Sequence, residues 1–376
     1  MSGGLPGPPL HSRYASPQEV AKPGSEVNSQ GAARRPTIED VAREAGVSRA
    51  LVSLVLRGSP KVSEPKRQAV AKAVAALDYR PSNAARSLAS GRTRIVGVLL
   101  DDLANPWFVD LLDGLQSVLG ERNLRMVLGD PRYLARPGES PVSPFMEMRV
   151  DGLVIAGEIR ADDDLTRATT HTPSVVVGAR ALELPAADRV SNDDADGARQ
   201  ATEHLIELGH RDIAFLTAPA GPAVVRAASY SKTMESHGLQ EYIQVLHTDM
   251  TEQSGYEALN RLIDGGRAPT AVIAANDILA VGALSAANAR SVSVPDELSI
   301  VGYDNTYLAA MGHLSLSTVD PVSRDVGVRA AQLLLDRMAE PARAQRDETL
   351  KPRLVVRKTT APAPRHSTPR HSTQRD

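Results

Sequence analysis

The sequence predicts two architectures in one chain: a small all-α headpiece near the N-terminus and, behind it, a larger α/β domain of two lobes. Three observations carry that prediction. Residues 37–81 hold three short amphipathic segments bounded by helix caps and breakers. Beyond Arg94, apolar β-rich runs alternate with amphipathic stretches, the pattern of parallel sheets covered by helices on both faces. Charge divides along the same boundary. From Arg34 to Arg94 there are 13 Lys plus Arg against 5 Asp plus Glu, a net of +8, whereas the rest of the chain carries −10 and the total is −2.

In the headpiece, Thr37 followed by Asp40 resembles a capping box, and Ile38, Val41, Ala42 and Ala45 fall on one helical face. Gly46 ends that helix. Ser48 caps a second, running to about Arg57, and Gly58-Ser59-Pro60 breaks it. Ser63 caps a third, with Pro65 in its first turn and Val70, Val74 and Leu77 turned inward. Pro81 stops the bundle, and 82–90 reads as one further short helix before Gly91.

Two helices joined by the tight Ala45-Gly46-Val47 turn make a helix-turn-helix. On the second helix Leu51, Val52, Val55 and Leu56 form one side, and Arg49, Ala50, Ser53, Leu54 and Arg57 the other. A leucine between two arginines is unusual on a solvated face, and either a generic three-helix bundle or a groove-reading helix accommodates the spacing. In a DNA groove, Ala and Leu touch a thymine methyl while Arg reads guanine. That stripe favours the second reading, while the basic module on an acidic body fits nucleic-acid binding and a solvated charged face alike.

The body shows apolar runs at 95–100, 126–128, 153–156, 175–177, 213–217, 243–246, 271–274 and 299–301, with amphipathic stretches such as 108–119, 197–208 and 278–289 between them. Roughly 265 residues exceed one comfortable core, so two lobes with a cleft are expected. Ligands of open α/β sheets bind beyond the carboxyl ends of the strands, which singles out Asp101, Asp102, Asn276, Asp277, Asp304 and Asn305.

With no cysteine, disulfides and thiolate metal sites are excluded. No apolar stretch is long enough for a membrane helix, and 1–35 lacks the apolar core of an export signal, so a cytoplasmic protein is expected. Phosphate loops, nucleophile elbows and zinc-protease helices are missing from the sequence. No enzyme, catalytic residue, cofactor or metal is therefore expected, and the acids at 162–164 and 193–194 read as loop residues. The segments 1–35 and 361–376 read as disordered, the latter twice spelling Pro-Arg-His-Ser-Thr.

The run Thr37-Ile38-Glu39-Asp40-Val41-Ala42-Arg43-Glu44-Ala45-Gly46-Val47-Ser48 closely resembles the opening of LacI/GalR-family regulators. The resemblance continues through Val52-Ser53, 77–82 and 84–88, then Val150-Asp151-Gly152-Leu153, Gly209-His210-Arg211, Ala275-Asn276-Asp277 and Val301-Gly302-Tyr303-Asp304-Asn305, covering about 36–358 in order. It implies a helix-turn-helix headpiece over 36–81, a hinge helix and linker over 82–92, and a two-lobed periplasmic-binding-protein-like effector and dimerisation domain over 93–360. It further implies a homodimeric repressor on a pseudo-palindromic double-stranded DNA operator. Arg49, Ala50 and Leu54 correspond to base readers, with Arg57 on the same face, and Thr37, Ser48 and Ser53 to phosphate contacts. Asn83, Arg86, Leu88 and Ala89 fall in the hinge, where Leu88 matches a leucine that wedges into a central minor-groove step. Leu54 departs from a position that often bears a polar reader; an apolar side chain cannot donate to guanine, so a base that presents a methyl group is expected there instead.

The resemblance also implies a small-molecule effector, usually a carbohydrate and in one branch a purine, held by Trp107, Phe108, Arg226, Asn276, Asp277 and Asp304. Ala220, Pro222 and Met250 stand where the purine branch has Arg, Thr and Phe, and Pro321 where a Gln is usual. A sugar in a pocket poor in polar groups is therefore the expectation, with lost effector response as the alternative.

Overall fold

The computed structural model describes residues 36–56, 58–79, 92–134, 138–178, 182–266 and 268–364. It divides into two compact units, Met1–Ser82 and Asn83–Asp376. No helix among the described residues is long and apolar enough to cross a membrane.

The smaller unit holds α1 (Ile38–Glu44), α2 (Arg49–Leu56) and α3 (Glu64–Ala76). The capping box at Thr37 forms in full: the Thr37 hydroxyl accepts from the Asp40 backbone N–H, and the Thr37 backbone N–H donates to Asp40 Oδ2 at 2.9 Å. Gly46 turns the chain at φ +63°, a conformation that favours glycine. Ser48 Oγ accepts from the Leu51 N–H at 3.2 Å and starts α2. Ser63 occupies the N-cap position of α3, but its side chain makes no capping bond, so Pro65 and the favourable Glu64 charge begin that helix instead. Val41, Ala42, Val52, Val70, Ala73 and Tyr79 form the core, with Leu51, Val55, Leu56, Val74 and Leu77 packed around it.

The larger unit contains two six-stranded sheets. Strands are β1 (Ile95–Leu100), β2 (Arg125–Gly129), β3 (Gly152–Ala156), β4 (Ser174–Val177), β5 (Asp188–Asn192), β6 (Ile213–Thr217), β7 (Gln244–His247), β8 (Ala271–Ala274), β9 (Ser299–Tyr303), β10 (Ser317–Asp320), β11 (Asp347–Leu350) and β12 (Arg353–Val355). Their helices are α4 (Trp107–Leu119), α5 (Pro131–Leu134), α6 (Ser143–Glu147), α7 (Asp163–His171), α8 (Asp194–Glu207), α9 (Pro222–Ser236), α10 (Glu252–Asp264), α11 (Asp277–Ala289), α12 (Tyr307–Ala310) and α13 (Ser323–Ala339). The first sheet runs β11-β5-β4-β3-β1-β2 and the second β12-β10-β9-β8-β6-β7. All pairings are parallel except β10 with β12. Strands β3, β6, β8 and β9 are buried along their whole length, because helices cover both faces.

The strand orders require three crossings between the lobes: after β5, between β10 and α13, and between β11 and β12. In the first lobe α4 and α13 meet at two glycines. A Cβ on Gly114 would stand 2.1 Å from the Arg324 carbonyl oxygen, and one on Gly327 2.2 Å from that of Leu111. The two backbones touch there, which holds α4 and the aromatic pair at its start in place.

Candidate functional site

In the smaller unit, the outward face of α2 is open. Ser48, Arg49 and Ala50 are exposed, Ser53 is half-buried, and Leu54 keeps 36% of its surface although it is apolar. Arg49 makes a salt bridge of 3.0 Å with Glu39 of α1, both side chains being more than half exposed. Thr37 is engaged in its own cap, donating to Asp40 Oδ2 at 2.7 Å. The predicted contacts Arg57, Asn83, Arg86, Leu88 and Ala89, and the hinge helix itself, lie outside the described residues.

Within the larger unit a cavity of about 210 Å³ opens between the lobes. Asp101, Asp102, Asn105, Trp107, Phe108 and Glu158 line it from the first lobe; Ala220, Pro222, Arg226, Met250 and Asp304 are among those lining it from the second. The Trp107 and Phe108 rings pack edge to face at a centroid distance of 4.9 Å. Phe108 is sunk in the first lobe's core, and Trp107 stays half-buried.

Arg226 is 6% exposed and held from several sides. Its Nε donates to Asp194 Oδ1 at 2.9 Å, its Nη1 donates to the Ala275 carbonyl at 2.5 Å, and its guanidinium lies 3.5 Å above the Tyr303 ring. Asp304 follows β9 in a left-handed backbone conformation, φ +102°. Its Oδ1 stands 3.6 Å from Arg226 Nη1. Burial pushes the Asp304 carboxyl up to about 8, against the pull of Arg226 and with the help of Asp277 and Asp194. On the opposite wall burial also raises Asp101 and Glu158; the negative charges of Asp101 and Asp194 raise Glu158 further.

The family described as bacterial regulatory proteins, lacI family, matches residues 37–82, and a periplasmic binding protein-like domain matches 202–360. The chain is 30% identical over 335 residues to the HTH-type transcriptional regulator DegA of Bacillus subtilis, covering 87% of this chain and 99% of that protein. It belongs to the LacI family. Among solved structures it is similar to the lac repressor dimer bound to operator and an anti-inducer, at 28% identity and a TM-score of 0.77, covering 87% of this chain and 100% of that one. It is also similar to a complex of the transcriptional regulator CelR with cellobiose, at 29% identity and a TM-score of 0.62, covering 86% of this chain and 100% of that one.

As a LacI-family member the chain is a DNA-binding transcriptional regulator with a ligand-binding sensor domain, and its relatives are regulators rather than enzymes. Within that family frame, four of the six expected effector residues, Trp107, Phe108, Arg226 and Asp304, converge on the cavity. Asn276 and Asp277 do not line it. Asn276 caps α11, its Oδ1 accepting from the Leu279 N–H at 2.8 Å. Asp277 is spent inside the second lobe, where its carboxylate accepts from the Thr306 backbone N–H at 2.7 Å and the Thr318 hydroxyl at 2.6 Å. Asp194 departs from the loop reading too: it is 1% exposed and is the ion-pair partner of Arg226. Nor is the cavity poor in polar groups, since its first-lobe wall brings Asp101, Asp102, Asn105 and Glu158 together. Glu158 was the member that sequence reading overlooked. It follows the apolar run of β3, so the strand-end rule that selected Asp101 applies to it equally.

Proposed function

We propose that this regulator acts as a homodimeric repressor on a pseudo-palindromic operator and that a sugar-like effector in the interlobe cleft changes its affinity for DNA. The observation that carries the reading is the cleft itself: a cavity walled by Trp107 on one lobe and by Arg226 and Asp304 on the other. A ligand touching both walls favours one lobe arrangement over another, which is what coupling to a second site requires. The exposed stripe of α2 supports Arg49, Ala50 and Leu54 as base readers and Ser48 and Ser53 as phosphate contacts. Thr37, Arg57 and the hinge residues Asn83, Arg86, Leu88 and Ala89 complete the proposed DNA contacts, with Leu88 as the minor-groove wedge.

Selection of bound duplexes from a random DNA library by the full-length chain tests the DNA half. An enriched inverted repeat whose half-sites are spaced by about one or more helical turns is expected. Enrichment of a single asymmetric site, or none, contradicts the homodimer on a palindrome. Leu88→Ala is expected to lower affinity for the selected duplex and its bending together. Equal bending at equal affinity would remove the wedge.

A further inference from the structure

The cleft is rich in acceptors and poor in donors. Four acidic side chains line it, those of Asp101, Asp102, Glu158 and the proton-holding Asp304, against the single guanidinium of Arg226. Asp102 has a cation of its own in Arg132. Arg226 is committed to Asp194 and the Ala275 carbonyl, and its Nη1 stands at 3.6 Å from Asp304, beyond hydrogen-bond distance. Asn192 Nδ2 donates to Asp194, and Asn105 Oδ1 accepts from the Trp107 backbone N–H, which leaves the Asn105 amide nitrogen as a second donor beside Arg226.

Asp101 and Glu158 are neighbours on the first lobe. The Glu158 backbone N–H donates to Asp101 Oδ2 at 2.7 Å, which turns the Asp101 carboxylate toward the same strand-end turn. Burial raises both carboxyls and the negative charge of Asp101 raises Glu158 further, so a cation between them would be favoured, the nearby Arg132 being paired with Asp102 and Asp130. Among the described residues no group of three or more His, Asp or Glu is placed to hold a metal ion. An ammonium differs from a metal in what it asks of a site. It brings three donors and no acceptor, and it tolerates an aromatic face such as that of Trp107. The part of the second-lobe wall formed by Ala218, Ala220, Pro222 and Met250 is apolar and suits the carbon skeleton of the same molecule. A cavity of about 210 Å³ lies below the size of drug-sized pockets and points to a monosaccharide-sized ligand.

We propose that the effector is an amino sugar with a free, protonated amine, the ammonium held by Asp101 and Glu158, the ring against Trp107 and a hydroxyl donating to Asp304. The proposal rests on the cleft being the effector site and specifies the chemistry of what enters it. It excludes sugar phosphates and sugar acids, whose negative charge would face the same carboxylates.

Calorimetry on the full-length chain tests it with D-glucosamine and D-galactosamine as free-amine probes, and D-glucose and N-acetyl-D-glucosamine as neutral counterparts. At least one free amine is expected to bind roughly tenfold or more tighter than its neutral counterpart, the scale of a charge-assisted hydrogen bond. Glu158→Gln, on an exposed side chain, is expected to erase that preference with an unchanged melting temperature, and Asp101→Asn to weaken it with its backbone contact kept. Equal or tighter binding of a neutral sugar, or no binding of either amine at millimolar concentration, overturns the proposal. A neutral sugar that binds and shifts DNA affinity leaves the sensor reading standing and removes the amine. An amine that binds without shifting DNA affinity keeps the amine site and removes the sensor reading.

Discussion

Arg49 and Arg226 show how differently one residue type is used in the two units. Arg49 lies on the exposed face of α2, and its ion pair with Glu39 is between side chains 70% and 52% exposed. Such a pair is worth about 0–1 kcal/mol, so exchanging Glu39 for a phosphate or a base edge costs little. Arg226 is buried, stacked on Tyr303 and paired with Asp194, itself buried. Removing one partner of a buried pair strands the other and costs about 3–5 kcal/mol. The first arginine is therefore available to a partner molecule, whereas the second belongs to the fold of the cleft.

The largest expected effect follows from that contrast. Arg226→Ala should destabilise the larger unit by about 3–5 kcal/mol, because the buried Asp194 loses its guanidinium countercharge. Chemical denaturation monitored by circular dichroism checks it, and a loss below about 1 kcal/mol would move Arg226 into the same class as Arg49. Arg49→Ala comes next. It should cost about 1–3 kcal/mol of binding to the selected duplex with the headpiece still folded, and unchanged affinity in a filter or fluorescence titration would remove Arg49 from the reading face.

Smaller effects sharpen the comparison. The Asp304 carboxyl, raised to about 8 in the folded chain from the ordinary 3.8, holds a proton that the unfolded chain has lost at intermediate pH. Native binding of that proton makes stability fall as pH rises from about 4 through 8. Asp304→Asn should flatten that slope and raise the melting temperature near pH 8. Asp277, raised by burial to about 6, leaves part of the slope in place. Identical pH profiles for variant and parent would show that Asp304 is ionised throughout. Glu39→Gln should be the mildest, shifting stability by less than about 1 kcal/mol, because only the exposed pair is lost.

Much of this was legible in the sequence, and the exceptions have physical reasons. Strands β1, β6 and β8 were read to the residue because their apolar runs are continuous and buried on both faces. The polar strands β5, β10 and β11 were missed. Asp188 of β5 is fully buried yet charged, neutralised by Arg337 at 2.6 Å, so composition alone hides a strand there. β12 is only three residues long, at a sheet edge. In the headpiece, the caps at Thr37 and Ser48 and the periodicity of α2 were read correctly, since both are local signals, whereas Ser63 makes no capping bond. In the cleft, the strand-end rule found Asp101 and Asp304 but also picked Asn276 and Asp277, which the structure uses for a helix cap and for bonds to Thr306 and Thr318. The pairing of Asp194 with Arg226 joins residues 32 apart in sequence, and no periodic pattern reports such a contact.

The central claim is that the arrangement of the lobes around the cleft sets DNA affinity, and it is testable without knowing the effector. Glu158 and Gly221 face each other across the cleft, where a Cβ on Gly221 would stand 2.8 Å from Glu158 Cγ. The chain has no cysteine, so Glu158→Cys with Gly221→Cys creates a unique pair that oxidation can close. Gly221 has φ +67°, so the added side chain carries strain of about 1–3 kcal/mol, equally in both redox states. The measurement is the affinity of this one double variant for the selected duplex, oxidised and then reduced. A shift of roughly 5- to 150-fold between the two states is predicted, the usual range for coupled sites. Equal affinities with the disulfide shown to be formed would contradict the account, leaving a DNA-binding headpiece uncoupled from its cleft.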